Sequence, residues 1–262
     1  MKPSAIATLA LGLLLSSASA RAEEPGPNQL GAELMFGQME ILNDQTLIGI
    51  ALHGQFELSP QAGLFARLPV AHVSNDIDSA TSLGNATLGM NYLLTSHARA
   101  KSWIDGSLSL PTAADDGEEA VAAGLFGLFW APDPGLYLPD VTTLRARYNH
   151  RFRQASGNGL LLSAGFQYLS VNDGDDDLRI PLAIGGNVQL SPKADFIGRF
   201  TTIVDLDADE DDDDFFHTLE LGVSLFGNGT SRAEILLYLP LDDFYRDNLE
   251  AWGLRGGFTT YL

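Results

Sequence analysis

The chain has 262 residues, 45% apolar and 19% charged, with 34 acids against 15 bases and a formal net charge of −19. A mean hydropathy of +0.03 is too polar for a bundle of membrane helices and too apolar for a disordered chain, and the absence of cysteine removes disulfides, thiolate metal sites and cysteine nucleophiles together. A surface this acidic does not replace the counterions of a polyanion, so nucleic acid is excluded as a partner.

The N-terminus reads as a secretory signal. Met1-Lys2 is the basic start, Ala5 to Leu15 an apolar core too short to span a bilayer, and Ser16 to Ala22 a small, polar cleavage region. Loss of residues 1–22 takes away Lys2 and Arg21 and no acid, leaving a more negative mature chain. Residues 23–29 are then expected as a periplasmic extension and 30–262 as the folded body.

Past the signal, the longest uninterrupted apolar stretch is Ala120 to Ala131, shorter than the roughly 20 residues of a membrane helix. The remainder is a series of segments about ten residues long that alternate apolar with polar or small residues, the pattern of a transmembrane β-barrel. Ile48, Ile50, Leu52 and Phe56 oppose Gly49, His53 and Gln55; Leu88, Met90 and Tyr92 oppose Thr87, Gly89 and Asn91. Leu144, Ala146, Tyr148 and Phe152 oppose Arg145, Arg147, Asn149 and Arg151, and Leu219, Leu221, Val223 and Leu225 oppose Thr218, Glu220, Gly222 and Ser224. Period two gives each strand one greasy and one wet face, and glycines and charges share the wet face, as in a lumen. Strands are expected near 30–40, 47–57, 63–73, 84–95, 101–110, 141–153, 159–171, 178–190, 195–206, 215–227, 231–240 and 252–262. The fold class is therefore all-β, a membrane-spanning antiparallel up-and-down β-barrel of about 12 strands.

Loop composition supports the same topology. Connections near 41–46, 74–83, 111–140, 172–177, 207–214 and 241–251 hold 24 of the 34 acids, whereas the intervening turns are short and carry Arg99 and Lys193. Long acidic loops alternate with short basic turns, as expected when the former face outward from the outer membrane of a Gram-negative cell. One segment resists a strand assignment: Gly117 to Pro139 is apolar on both alternating faces. It is expected as a short helix in the third outer loop, closed by Pro132 and Pro134, lying in the barrel mouth or on the lipid surface. In the mouth, Leu125, Phe126, Phe129 and Trp130 would form a lid.

Three stretches carry a family resemblance: Phe56-Glu57-Leu58-Ser59 leading to Leu64-Phe65-Ala66-Arg67-Leu68-Pro69-Val70, then Gly84 to Tyr92, then Leu108-Ser109-Leu110-Pro111-Thr112. They resemble the transporter-like outer-membrane barrels linked to the meta-cleavage pathway of phenol degradation, with Ala113 where that family usually has glycine. The resemblance implies passage of small hydrophobic or aromatic compounds. The C-terminus, where Trp252, Leu254, Phe258 and Leu262 alternate, resembles the closing strand that the barrel-assembly machinery recognises, although the aromatic Tyr261 is penultimate.

Candidate site residues fall on the wet face. Arg67, Arg145, Arg147, Arg151 and Arg199, with Asp105, Glu220 and Glu234, are either a charged constriction that selects polar or anionic solutes or a salt-bridged lining of a narrow lumen. The acidic run containing Asp209, Asp211 and Asp213 offers hard oxygen ligands for calcium or magnesium, or bridges to lipopolysaccharide phosphates. It lacks EF-hand spacing, and a solvated, self-repelling loop is the alternative. No cofactor beyond such an ion is expected. No GxSxG or HExxH motif occurs, and of five histidines only His53 points clearly inward. The expected function is passive uptake through a channel without enzymatic activity, with outer-membrane lipid as its surroundings. The alternative is a structural or lipid-modifying barrel with a closed lumen.

Overall fold

The computed structural model describes residues 26–262 apart from 42, 76–77, 115, 131–132, 173, 208–214, 228–230 and 244–249. The signal segment 1–22, Pro132 and the run containing Asp209, Asp211 and Asp213 lie outside the described residues. Within them, β1 (Gln29–Ile41), β2 (Asn43–Ser59), β3 (Ala62–Ser74), β4 (Ser79–Leu83), β5 (Thr87–His97) and β6 (Ala100–Ser109) precede a helix, α1 (Gly117–Phe129), and a 3-10 turn at Pro134–Leu136. There follow β7 (Val141–Arg153), β8 (Gly159–Val171), β9 (Asp177–Ser191), β10 (Ala194–Asp205), β11 (Phe215–Phe226), β12 (Ser231–Pro240) and β13 (Trp252–Tyr261).

The sheet closes on itself. β1 pairs antiparallel with β2 on one side and β13 on the other, from Gln29↔Tyr261 to Gln38↔Trp252, and each later strand pairs with its neighbours back to β3 and β2. Twelve strands close the ring, and β4 is an additional strand in line with β5 along β3, paired with β3 alone among the described residues. Closure is what lipid demands, because a sheet edge in hydrocarbon would leave N–H and C=O groups without partners.

The alternation read from the sequence sorts side chains as expected. Leu52, Leu88, Met90, Leu144 and Ile184 are exposed on the outer wall, forming an apolar belt that suits lipid. Tyr92, Tyr148, Phe152, Phe166, Tyr168 and Phe196 are exposed there too, and Trp252 packs on Phe36 with ring centroids 6.1 Å apart. Glu33, Asp105, Arg147, Glu220, Glu234 and Arg255 are buried on the inner face.

Three boundaries differ from the sequence expectation. The outer turn placed at 41–46 is mostly strand, since pairing of β1 with β2 continues through Met39↔Gln45 to Ile41↔Asn43. That extension has a packing reason: Met39 and Leu47 are buried in the apolar cluster that receives α1. The loop placed at 74–83 contains β4, which turns back on β3 through Asn75, whose Oδ1 accepts the Asp78 amide at 2.8 Å. The strand expected from 84 begins at Thr87, because Gly84, Asn85 and Ala86 break the wall between β4 and β5.

The lipid-facing assignment predicts a depth-dependent penalty for charge. Leu52→Arg, near the middle of β2, should lower the free energy of folding into phospholipid vesicles by about 2–4 kcal/mol. A urea titration of vesicle-refolded protein followed by tryptophan fluorescence measures this; an unchanged midpoint would place residue 52 away from the lipid.

Candidate functional site

The lumen is filled from the outer end by α1 and the turn that follows it. The helix begins at Gly117, whose φ of +68° suits a residue without Cβ, and Glu118 and Glu119 occupy its positive first turn. Its buried residues include Ala122, Ala123, Phe126 and Phe129. Of the two places the sequence allows, the helix therefore takes the barrel mouth. Phe126, Phe129 and Trp130 are completely buried and Leu125 packs against the same cluster, together with Met35, Leu47, Val73, Tyr137 and Tyr238.

Inward glycines make the sockets. A Cβ on Gly49 would come 2.3 Å from Cζ of Phe126, and one on Gly37 would come 2.3 Å from Cζ of Phe129. Glycines that looked like small lumen residues in the sequence are thus where the plug's rings approach the wall. Around them Phe126 lies 4.4 Å from Tyr137 and Trp130 lies 4.7 Å from Tyr238, centroid to centroid. The Tyr238 hydroxyl donates to the Phe129 carbonyl at 3.2 Å. Burial pushes the Tyr137 hydroxyl above the usual tyrosine range.

Two polar fastenings hold the base of the plug. Arg145 Nη1 reaches Asp133 Oδ2 at 2.5 Å with both side chains largely buried, and Gln167 Nε2 donates to the other Asp133 oxygen at 3.4 Å. The second is Asn85, fully buried at the wall break. Its Nδ2 donates to the carbonyls of Gly135 and Leu138 at 2.9 and 2.8 Å, and its Oδ1 accepts the amides of Thr112 and Ala113, each at 2.9 Å. Its own amide donates to the Leu136 carbonyl at 2.7 Å. Only the backbone of Ala113 is used in this contact, so alanine serves there as well as glycine.

Beneath the plug lies a lattice of charge. Arg67 pairs with Glu33 at 2.5 Å; Arg255 bridges Glu33 at 3.5 Å and Glu220 at 2.8 Å, and its guanidinium sits 5.4 Å from the Trp130 ring. Arg147 pairs with Asp105 at 2.9 Å, and the other Asp105 oxygen accepts from Asn149 at 2.7 Å. Arg151 lies over Trp103 at 5.4 Å, Arg232 pairs with Glu234, and Arg199 faces Glu220 across β10 and β11.

The space left between these groups is divided into two cavities. A vestibule of about 120 Å³ opens at the end with the short turns, touching Arg151, Arg199, Glu220, Glu234 and Arg255. Above it a void of about 30 Å³ shares Arg199, Glu220 and Arg255 with the vestibule, adds Arg145 and Arg147, and ends against Trp130 and Asp133. The candidate residues are therefore divided. Arg145, Arg147, Arg199 and Glu220 surround the narrow part, Arg151 and Glu234 line the vestibule, and Arg67 and Asp105 support neighbouring walls as ion-pair partners.

Asp133 and Asn85 escaped the sequence reading. Asp133 had a signal: it is the lone acid among the apolar residues between Ala120 and Leu138, and a carboxylate carried inward by such a segment needs a cation. Asn85 had none, because an asparagine in a glycine-rich strand reads as one more lumen residue. His53 faces inward as expected, its ring packed over Gly31 and its nitrogens without hydrogen-bond partners among the described residues. Among the described residues no group of three or more metal-ligating side chains occurs. Ser102 Oγ meets His150 Nδ1 at 2.7 Å, but among the described residues the ring is flanked by Tyr148 and Phe152, and no carboxylate orients it.

No protein-family model matches the chain, and no curated protein matches its sequence. Solved structures share its fold. The COG4313 outer membrane channel from Pseudomonas putida F1 superposes with a TM-score of 0.65 at 11% identity, over 95% of this chain and 100% of that one. The KdgM porin, solved with disordered oligogalacturonate, gives 0.51 at 7% identity over 88% and 99% of the two chains. The translocator domain of the autotransporter NalP from Neisseria meningitidis gives 0.51 at 10% identity over 100% and 95%. At these identities the likeness is one of fold: the chain is a barrel of the outer-membrane type.

Asp133→Ala should leave the Arg145 guanidinium buried without its carboxylate, a loss of about 3–5 kcal/mol. A lowered urea midpoint checks this, and Asp133→Ala combined with Arg145→Met should recover part of the loss. If the single variant is as stable as the parent, the pair does not fasten the plug.

Proposed function

We propose that the chain is an outer-membrane channel for passive uptake of small compounds, shut at rest by α1. The observation that carries this reading is the succession of two cavities from the short-turn end, the wider vestibule and then the narrow void that ends against Trp130 and Asp133, with α1 packed in the lumen above them. The fold shared with the COG4313 outer membrane channel and the KdgM porin supports it. The resemblance of the Leu64–Val70, Gly84–Tyr92 and Leu108–Thr112 stretches to the meta-cleavage-linked barrels supports small aromatic compounds as the solutes. A Ser102–His150 contact without an orienting acid gives little basis for a lipid-modifying enzyme.

The surroundings follow from this reading. The mature chain reaches the outer membrane after its signal is removed. β13, the closing strand, is what the assembly machinery would engage, and the acidic outer loops meet lipopolysaccharide, with divalent ions as bridges.

Two measurements test the channel. Deleting residues 117–130, which removes α1 and leaves Asp133 and the carbonyls that bind Asn85, should raise solute uptake in a liposome-swelling assay well above that of the intact barrel. Absence of flux in both forms would favour a structural barrel. In the same α1-deleted protein, Arg199→Ser should move the reversal potential in a planar bilayer toward cations, because it removes one positive charge from the narrow part. An unchanged potential in an assembled barrel would put the selective point elsewhere.

A further inference from the structure

The vestibule below the charge lattice is chemically uneven in a way that an ion-paired lining does not require. Five guanidiniums border it, those of Arg151, Arg153, Arg199, Arg232 and Arg255, against three carboxylates, Asp195, Glu220 and Glu234. The carboxylates are already engaged: Glu220 with Arg255 at 2.8 Å, Glu234 with Arg232, and Asp195 with the Asn187 amide at 2.8 Å. Arg153, at the mouth, has no ion pair among the described residues. An excess of fixed positive charge inside a low-dielectric wall raises the local concentration of anions.

Apart from Asn187, the rest of the lining is apolar or glycine. Ile197 and Leu236 are buried against the vestibule and Leu161 faces it, while Gly159 and Gly185 leave the β8 and β9 wall without bulk. The volume, about 120 Å³, is close to that of cavities of about 150 Å³ that accept a benzene ring. A ligand that matches both halves is amphipathic: one small ring for the apolar wall and one negative charge for the arginines.

We propose that the vestibule is a binding site for a single-ring monocarboxylate. This names a ligand class for the inner end of the passage, and so rests on the reading of the lumen as a passage. The carboxylate accepts from Arg153 and the neighbouring guanidiniums, and the ring lies against Leu161, Ile197 and Leu236. A neutral ring of the same size meets only the second set of contacts, and an ammonium of the same size is repelled by the first.

The test uses refolded mature barrel in detergent at constant chloride, titrated with sodium benzoate, benzyl alcohol and benzylammonium by isothermal calorimetry. Benzoate should bind saturably and at least about tenfold more tightly than either of the others, the size expected of charge-assisted hydrogen bonds. Arg153→Ser, at an exposed strand end, should weaken benzoate severalfold and leave benzyl alcohol unaffected, whereas Arg153→Lys should keep most of the affinity. Leu161→Trp, which fills the vestibule, should abolish binding while heat-modifiable migration shows an assembled barrel. Equal affinity for benzoate and benzyl alcohol, or benzoate binding that survives both Arg153→Ser and Leu161→Trp, overturns the proposal. Benzoate binding with no flux through the α1-deleted barrel would retain the site and remove the channel; flux without benzoate binding would do the reverse.

Discussion

A chain that crosses hydrocarbon in strands has one overriding obligation, to give every backbone N–H and C=O a partner within the protein. Closure of β1 on β13 meets it around the ring. Besides the gap opposite Pro181, where pairing of β8 with β9 lapses between Ala164↔Leu182 and Gln167↔Arg179, the wall strand is interrupted between Leu83 and Thr87, so the run of ladder bonds from β3 stops and restarts. There the side chain of Asn85 takes over, with both of its donors and its acceptor committed to the backbone of 112–113 and 135–138. Gly84 is glycine for the same reason, since a Cβ would stand 2.5 Å from the Leu136 carbonyl. The inner end of the third loop is thus part of the wall, not merely something resting inside it.

That division of labour separates the third loop into two units. Residues 133–138 complete the barrel through Asn85 and through the Asp133–Arg145 pair, and their departure would expose buried polar groups at a cost of several kcal/mol. The helix is attached differently, by aromatic rings seated on Gly37 and Gly49 and by a hydrogen bond from Tyr238 to the Phe129 carbonyl. Apolar contacts of that kind lose free energy in proportion to area and leave no unpaired group behind. If the proposed channel opens, a helix held by packing is therefore cheaper to displace than the turn beneath it, which is held by charge.

The strands were legible because period-two alternation survives both lipid and lumen: Leu144 to Phe152 faces out and Arg145 to Arg151 faces in, as the sequence alone says. The candidate charges were legible on the same ground, down to the side of the wall on which each sits. Their partners were not, because pairing depends on register across strands: Asp105 meets Arg147 and Glu33 meets Arg67 through neighbours far apart in the chain. β4 was hidden because Ser79-Ala80-Thr81-Ser82-Leu83 has too little contrast between its faces. The choice between mouth and lipid surface for α1 was hidden because Ala, Gly, Leu and Phe suit either environment, and the deciding residues, Gly37 and Gly49, lie in other strands.

The three layers of the lumen act on a solute in series. The outer loops are acidic, with Asp175, Asp176 and Asp177 clustered beside Asp205 and Asp207; the Tyr168 hydroxyl bonded to Asp176 holds that carboxyl below its usual range and so charged. The plug is apolar, and the vestibule carries more guanidiniums than carboxylates. Electrostatics of exposed loops is screened within about 8–10 Å at physiological salt, so the outer field acts at the mouth and the inner field acts in the vestibule, each alone. A neutral apolar solute is neither attracted nor repelled by either field, and it meets the packing of Phe126, Phe129 and Trp130 and, beneath them, the narrow void of about 30 Å³ among Arg145, Arg147, Arg199 and Glu220. An anion is opposed at the mouth and favoured at the far end, which makes the vestibule more accessible to anions from the short-turn side than from outside. The layout therefore favours different solute classes at the two ends of one lumen, and in the proposed channel the helix between them is what would have to move for those ends to communicate.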